Sequence, residues 1–283
     1  MPSTAELLAL GCAFIWAVNA LMLKTLSAEV SPAAMNAARC GVAGAAFLVW
    51  LPFDAPLATL AVVPLADWGL LLASLVIGIV VGDTLYLIAL RDIGVSRSMP
   101  LSGTFPLSTL LFEHLLLRTP LRPTLLAGAV LVCLGIVLLS RGRAPGPLSP
   151  ARLRRGVVLS VAASMLWGLA VTLLKPALAH LTIVQANALR MPVVALLLYL
   201  ALVRPSGERL RSLSRRAWVI LIASGLLGMG LGAYMFLTAL SLLGPAKAVT
   251  LTSASPVFGL ALAVLFLKER VDARVLAGVW SVL

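Results

Sequence analysis

The stretch Phe14-Ile15-Trp16-Ala17-Val18-Asn19-Ala20-Leu21-Met22-Leu23-Lys24, followed by Asn36 and Arg39, has a counterpart later in the chain. It is Met165-Leu166-Trp167-Gly168-Leu169-Ala170-Val171-Thr172-Leu173-Leu174-Lys175, followed by Asn187 and Arg190. The Trp, Lys, Asn and Arg of the two stretches are each offset by 151 residues. Further on, Gly78, Gly82, Ala89, Leu90, Gly94, Pro106 and Gly128 recur at an offset of 150 as Gly228, Gly232, Ala239, Leu240, Gly244, Pro256 and Gly278. Apolar coincidences are cheap in an apolar chain. A Trp, a Lys, an Asn, an Arg and a Pro held in one register are not, so the chain is an internal duplication.

Around that repeat the composition leaves one class open. The 283 residues are 61% hydrophobic and 11% charged, with mean hydropathy +1.08. Soluble domains carry about 25% charged residues. The charges also bunch between apolar runs of the length that crosses a bilayer. These runs predict ten transmembrane helices, at 5–25, 32–52, 68–90, 97–117, 123–141, 156–177, 183–203, 217–242, 246–267 and 273–283. The breaks fall on turn chemistry such as Ser31-Pro32, Thr119-Pro120 and Gly244-Pro245. One basic segment rich in Pro and Gly divides the chain into residues 1–143, a linker at 144–155, and residues 156–283. Five helices per copy is an odd number, so the second copy enters from the opposite side, as an inverted repeat. The expectation is an all-α integral membrane protein with no room for a sizeable aqueous domain.

The net charge is +12, and its placement is informative. Sixteen of the 22 basic residues fall at the odd-numbered loops, from Lys24 and Arg91 through the linker and 204–216 to Lys268, Arg270 and Arg274. The other face holds only Arg118, Arg122, Lys175 and Lys247. The positive-inside rule then puts the odd-numbered loops in the cytoplasm and both termini outside. Basic residues confined to short loops speak for membrane topology and against a nucleic-acid partner. Cys12, Cys40 and Cys133 are scattered in apolar runs, which fits packing rather than a disulfide or metal framework. No basic n-region precedes the first apolar run, so it reads as a retained helix. The last run stops short: 128–133 aligns with 278–283, whereas the first copy continues through 134–140. The natural protein is expected to extend by at least seven apolar residues.

Several of these stretches resemble one family. They are Met165-Leu166-Trp167, Ser31-Pro32 leading to Arg39, Gly82-Asp83-Thr84-Leu85-Tyr86 with Ala89, Leu90 and Gly94, and Ser255-Pro256 followed by Phe266-Leu267-Lys268-Glu269-Arg270. Together they are similar to the ten-helix EamA-type members of the drug/metabolite transporter superfamily, over essentially the whole chain. The resemblance implies two inverted five-helix repeats around a central cavity, in a bacterial inner membrane. It implies export of small amphipathic metabolites such as amino acids by alternating access, with no cofactor. A lipid or lipid-linked-sugar flippase remains the alternative. A membrane-embedded enzyme is disfavoured, because HExxH, GxSxG, phosphate-loop and paired-aspartate motifs are missing. The partners expected are a small-molecule substrate and the bilayer, with a monomer favoured over a homodimer.

Ionisable groups inside a bilayer are expensive and become functional candidates. Arg39 lies about seven residues into helix 2, roughly 10 Å deep, and Asp83 sits at similar depth on helix 3. An Arg39–Asp83 pair is sterically possible, either binding a proton or substrate or merely locking helices. Arg190 occupies the equivalent depth from the other side. No acid matches Asp83 there, since position 233 is Ala, and Glu113 on helix 4 is the other coupling-ion candidate. Trp16 and Trp167, mid-helix, read as cavity walls or core packing, and Asn36, Asn187, Tyr86 and Tyr234 join them as cavity candidates. Pro106 and Pro256, amid small hydroxyl residues, predict kinks in helices 4 and 9. Gly78/Gly82 and Gly228/Gly232 are close-packing spacings, expected to serve helices 3 and 8 within one chain.

Overall fold

A computed structural model describes residues 3–26, 29–93, 95–140, 148–255, 257–259 and 262. Every regular element among them is helical. Helix starts follow local chemistry. Ser3 and Glu6 form a reciprocal capping box at α1 (Thr4–Lys24), and Ser31 caps α2 (Pro32–Asp54) with Pro32 in the first turn. Helix α3 runs without a break through Leu65–Leu75, Val76–Asp83 and Thr84–Ile93, its middle part a wider π-helix. Helix α4 comes in two pieces, Val95–Ser102 and Phe105–Leu117, and α5 spans Pro123–Ser140.

The second half repeats this plan. Helix α6 (Pro150–Ala177) is capped by Ser149, and α7 is Ile183–Leu198 continued by Tyr199–Val203, with a Thr182/Gln185 capping box. Helix α8 joins Arg215–Ser224, a π-helical Gly225–Gly232 and Ala233–Leu243. Helix α9 begins at Pro245–Thr252. The π-helical segments of α3 and α8 stand at equivalent places in the two copies. Helix α9 is interrupted by a turn at Ser253-Ala254, as α4 is at Gly103-Thr104. Pro106 sits in the first turn of its segment. Pro256, the tenth expected span and most of the linker's first part lie outside the described residues. The Ser149 cap and Pro150 start α6 six residues before the expected 156.

Pro32–Asp54, Leu65–Tyr86, Pro150–Ala177, Ile183–Val203 and Arg215–Leu243 are each long and apolar enough to cross a membrane. Thr4–Asn19, Phe105–Leu117 and Pro123–Val137 are shorter apolar helices. Large apolar side chains such as Val49, Phe53, Val158 and Val219 lie exposed on the outer faces, which suits lipid rather than water as solvent.

Helices α2 and α7 form the centre, burying Ala34, Ala38, Val184 and Met191 between them. Here Gly44 lies under Pro192, where an added Cβ would sit 2.8 Å from the ring, and Gly41 faces Ala195. Those pairs are one contact written twice with the halves exchanged, since Gly41 and Gly44 are equivalent to Pro192 and Ala195. Around this crossing the first helix of each half packs on the other half: α1 against α8 and α9, α6 against α3 and α4. Exchanged contacts of this kind mark an approximate two-fold relation between the halves.

Candidate functional site

The exchange continues at the two GxxxG sites and builds a cavity. Trp167 of α6 covers Gly82 and Trp16 of α1 covers Gly232, each with indole atoms about 3 Å from where a Cβ would stand. Ala170 abuts Gly78, and its counterpart Asn19 abuts Gly228 together with Arg39. The glycines therefore admit α6 and α1, rather than packing α3 on α8 as the sequence suggested. Trp167 also packs on Tyr86 with centroids 5.3 Å apart, and Trp16 on Phe236 at the same 5.3 Å. Between the two indoles lies a cavity of about 380 Å³.

Its walls come from both halves: Trp16, Ser74, Gly78, Asp83 and Phe105 from the first, Trp167, Arg190, Met191, Met229 and Phe236 from the second. Trp16, Trp167, Asp83 and Arg190 were legible as candidates, and all four face it. Asn36, Arg39, Asn187, Tyr86 and Tyr234 do not line it. Arg39 turns to Asn36, whose Oδ1 accepts from Nη1 at 3.2 Å. Tyr234 stacks on Trp50 at 5.4 Å, away from the cavity. Phe236 went unnamed although it stands at offset 150 from Tyr86, and that offset was the available signal.

The polar contacts differ between the halves. Trp167 Nε1 donates to Asp83 Oδ1 at 2.7 Å, whereas Trp16 Nε1 donates to the Gly228 carbonyl at 3.3 Å. No direct ion pair joins Asp83 to Arg39; Asp83 is bonded to Trp167 and Arg39 to Asn36. Both amide atoms of Asn187 and the Nε of Arg190 are buried without a hydrogen-bond partner. The hydroxyls flanking Pro106 do not line the cavity. Thr104 and Ser108 instead bind Ser164 and tie α4 to α6.

Glu113 does not answer Arg190. Its Oε2 accepts from the Ala246 backbone N–H at 2.6 Å, capping the start of α9 beside a smaller pocket of about 150 Å³. His114 Nδ1 meets the Thr119 carbonyl at 2.9 Å. That end of the molecule also holds the Lys247–Glu6 ion pair, the Asp67–His180 contact and the Lys175–Ser241 carbonyl bond. The opposite end holds Arg155–Asp92, Ser31–Glu208 and Glu29–Ser214. Among the described residues no three His, Cys, Asp or Glu side chains gather as a metal site.

A cavity walled by both halves of a duplicated apolar chain leads to the comparison that decides the family. EamA-like transporter sequences match this chain twice, over residues 3–141 and 154–283. The chain belongs to the EamA-like transporter family. It is thus a multi-pass membrane transporter of the drug/metabolite transporter superfamily. A relative from Archaeoglobus fulgidus, named only as an uncharacterized transporter, is 25% identical over 278 residues, covering 98% of this chain and 94% of the relative. A solved crystal structure, described only as that of a protein, superposes with TM-score 0.83 at 19% identity, covering all of this chain and 96% of the other. It shows the same fold. In this EamA-family chain the two matches fall on the two copies that the repeat of Trp, Lys, Asn and Arg marks out.

Proposed function

We propose that this EamA-family chain is a secondary transporter that exports small amphipathic metabolites, amino acids among them. It works by alternating access between two inverted five-helix halves. The observation that carries the reading is the cavity of about 380 Å³, walled by Trp16 and Trp167 and bearing Asp83 and Arg190. Its size suits one small ligand, and its aromatic walls suit an apolar body with a charged end. Rocking one half against the other about such a site opens it to either side in turn. A single chain supplies both walls, so the monomer is the working unit.

Orientation follows from charge. The end bearing Arg155, Arg204, Arg209, Arg211, Arg215 and Arg216 faces the cytoplasm of a bacterial inner membrane. The three native cysteines are buried, so a single cysteine can report sidedness. Ser206→Cys should resist impermeant thiol reagents in intact cells, and Ala179→Cys should label readily. The opposite pattern would reverse the assignment.

Transport itself is tested by counterflow in proteoliposomes with a panel of amino acids. Exchange of at least one, lost or weakened in Trp16→Ala and Trp167→Ala, is the expected result. Unchanged exchange in both variants would move the pathway away from this cavity.

A further inference from the structure

Asn36–Arg39 and Asn187–Arg190 are equivalent pairs at an offset of 151, and they are in opposite states. The first is joined: Asn36 Oδ1 accepts from one nitrogen of the Arg39 guanidinium, whose Nε stays without a partner. The second is open. Arg190 is 7% exposed and lines the cavity. It has neither hydrogen bond nor ion pair to any described residue, and both amide atoms of Asn187 are likewise unpaired.

An unpaired guanidinium in a low-dielectric interior is costly, and a counter-charge offsets that cost. The one carboxylate among the described residues lining the cavity does not supply it, because Asp83 is held by Trp167 and makes no ion pair with Arg190. Two guanidiniums thus stand against one carboxylate around this space. A bound anion brings the group to neutrality. A zwitterion leaves the imbalance as it was, and an organic cation deepens it.

We infer that the cavity takes its substrate as a net anion: a small carboxylate whose charged end is gripped by Arg190 and whose apolar body lies between Trp16, Trp167 and Phe236. This rests on the transporter reading above and narrows it. Arg190 is the group that selects charge.

Three ligands with one body and different charge test it: 3-phenylpropanoate, phenylalanine and phenethylamine, at pH 7, on the purified full chain. Calorimetric titration should rank 3-phenylpropanoate first, phenylalanine at least about tenfold weaker, and phenethylamine without measurable binding. Arg190→Gln should weaken 3-phenylpropanoate at least about thirtyfold, and Arg190→Lys should retain part of the affinity. Without ligand, Arg190→Gln should melt no lower than the native chain, because it removes an unpaired buried charge. A structural Arg190 would show the reverse, a lower melting temperature with anion binding intact, and that would overturn the inference. So would phenylalanine or phenethylamine binding as tightly as the anion, or none of the three binding. Counterflow separates the two readings. Exchange of phenylalanine but not 3-phenylpropanoate leaves a transporter and removes the anion site. Tight anion binding without exchange does the opposite.

Discussion

The two indoles at the centre of the molecule occupy equivalent positions, lie over equivalent glycines and pack on equivalent aromatic rings. Trp167 nevertheless holds a carboxylate at 2.7 Å, while Trp16 holds a backbone carbonyl at 3.3 Å. The cause is one position: Asp83 in the first half is Ala233 in the second. With no side-chain acceptor there, Trp16 reaches the Gly228 carbonyl in the π-helical stretch, where the helix's own bonding is irregular. The duplicated framework sets the shape of the cavity, and a few unmatched residues set its chemistry.

The sharpest test of this difference is at Asp83, the coupling-ion candidate of the first half. Asp83→Asn should abolish export driven by a pH gradient while leaving part of the substrate exchange in proteoliposomes. Survival of both activities would remove Asp83 from coupling and leave the asymmetry without a role. Next comes the unequal strength of the two indole bonds. Trp167→Phe strands a half-buried carboxylate on the cavity wall and should cost about 2 kcal/mol. Trp16→Phe strands a neutral carbonyl and should cost about 1 kcal/mol. Equal losses, measured by denaturation of both variants in detergent, would mean the two contacts are interchangeable.

A further asymmetry lies one residue along each first helix, where Ala17 matches Gly168. A Cβ at Gly168 would meet the Ser108 backbone carbon and the Thr109 nitrogen at 2.8 Å, whereas Ala17 already places its Cβ 4.0 Å from where one on Gly259 would be. Backbone cannot step aside as a flexible side chain can. Gly168→Ala should therefore cost about 2 kcal/mol, although the other half carries Ala at that position. Gly41→Ala, facing Ala195 at 3.8 Å, should be nearly neutral. A neutral Gly168→Ala would show that α4 and α6 are free to separate.

Much of this was legible because repeat and hydropathy are sequence properties. The paired Trp, Asn and Arg placed the candidate residues, and the Ser31-Pro32 break placed the start of α2. What escaped was orientation around each helix. Arg39 and Arg190 share a register, but only Arg190 reaches the cavity, because Asn36 holds its neighbour aside. Glu113 had the right depth for a buried partner, yet its carboxylate is used by the α9 N-terminus. The glycine spacing announced a close approach without naming the helix that comes close. Tertiary packing decides each of these, and linear spacing does not carry it.

The smallest expected effect sits at the ends of the halves, where the same positions latch the loops with different chemistry. Ser31 and its equivalent Thr182 each bind an acid of the other half, Glu208 and Asp54. Two residues earlier the pattern parts: His180 meets Asp67, whereas Glu29 accepts the Ser214 backbone N–H at 3.1 Å. Glu29 lies in the loop outside the spanning helices. Its contacts with Ser214 first, and the nearby Arg216 charge after them, hold its carboxyl below the usual value. A depressed carboxylate contributes stability above its unfolded value and loses it as pH falls through the folded value. Glu29→Gln should therefore melt slightly below the native chain at pH 7. The gap should close under acid conditions, once the native carboxyl is protonated too. A gap that persists there would trace the loss to the geometry of the side chain rather than its charge, and the latch would then resemble its hydroxyl neighbours Ser31 and Thr182.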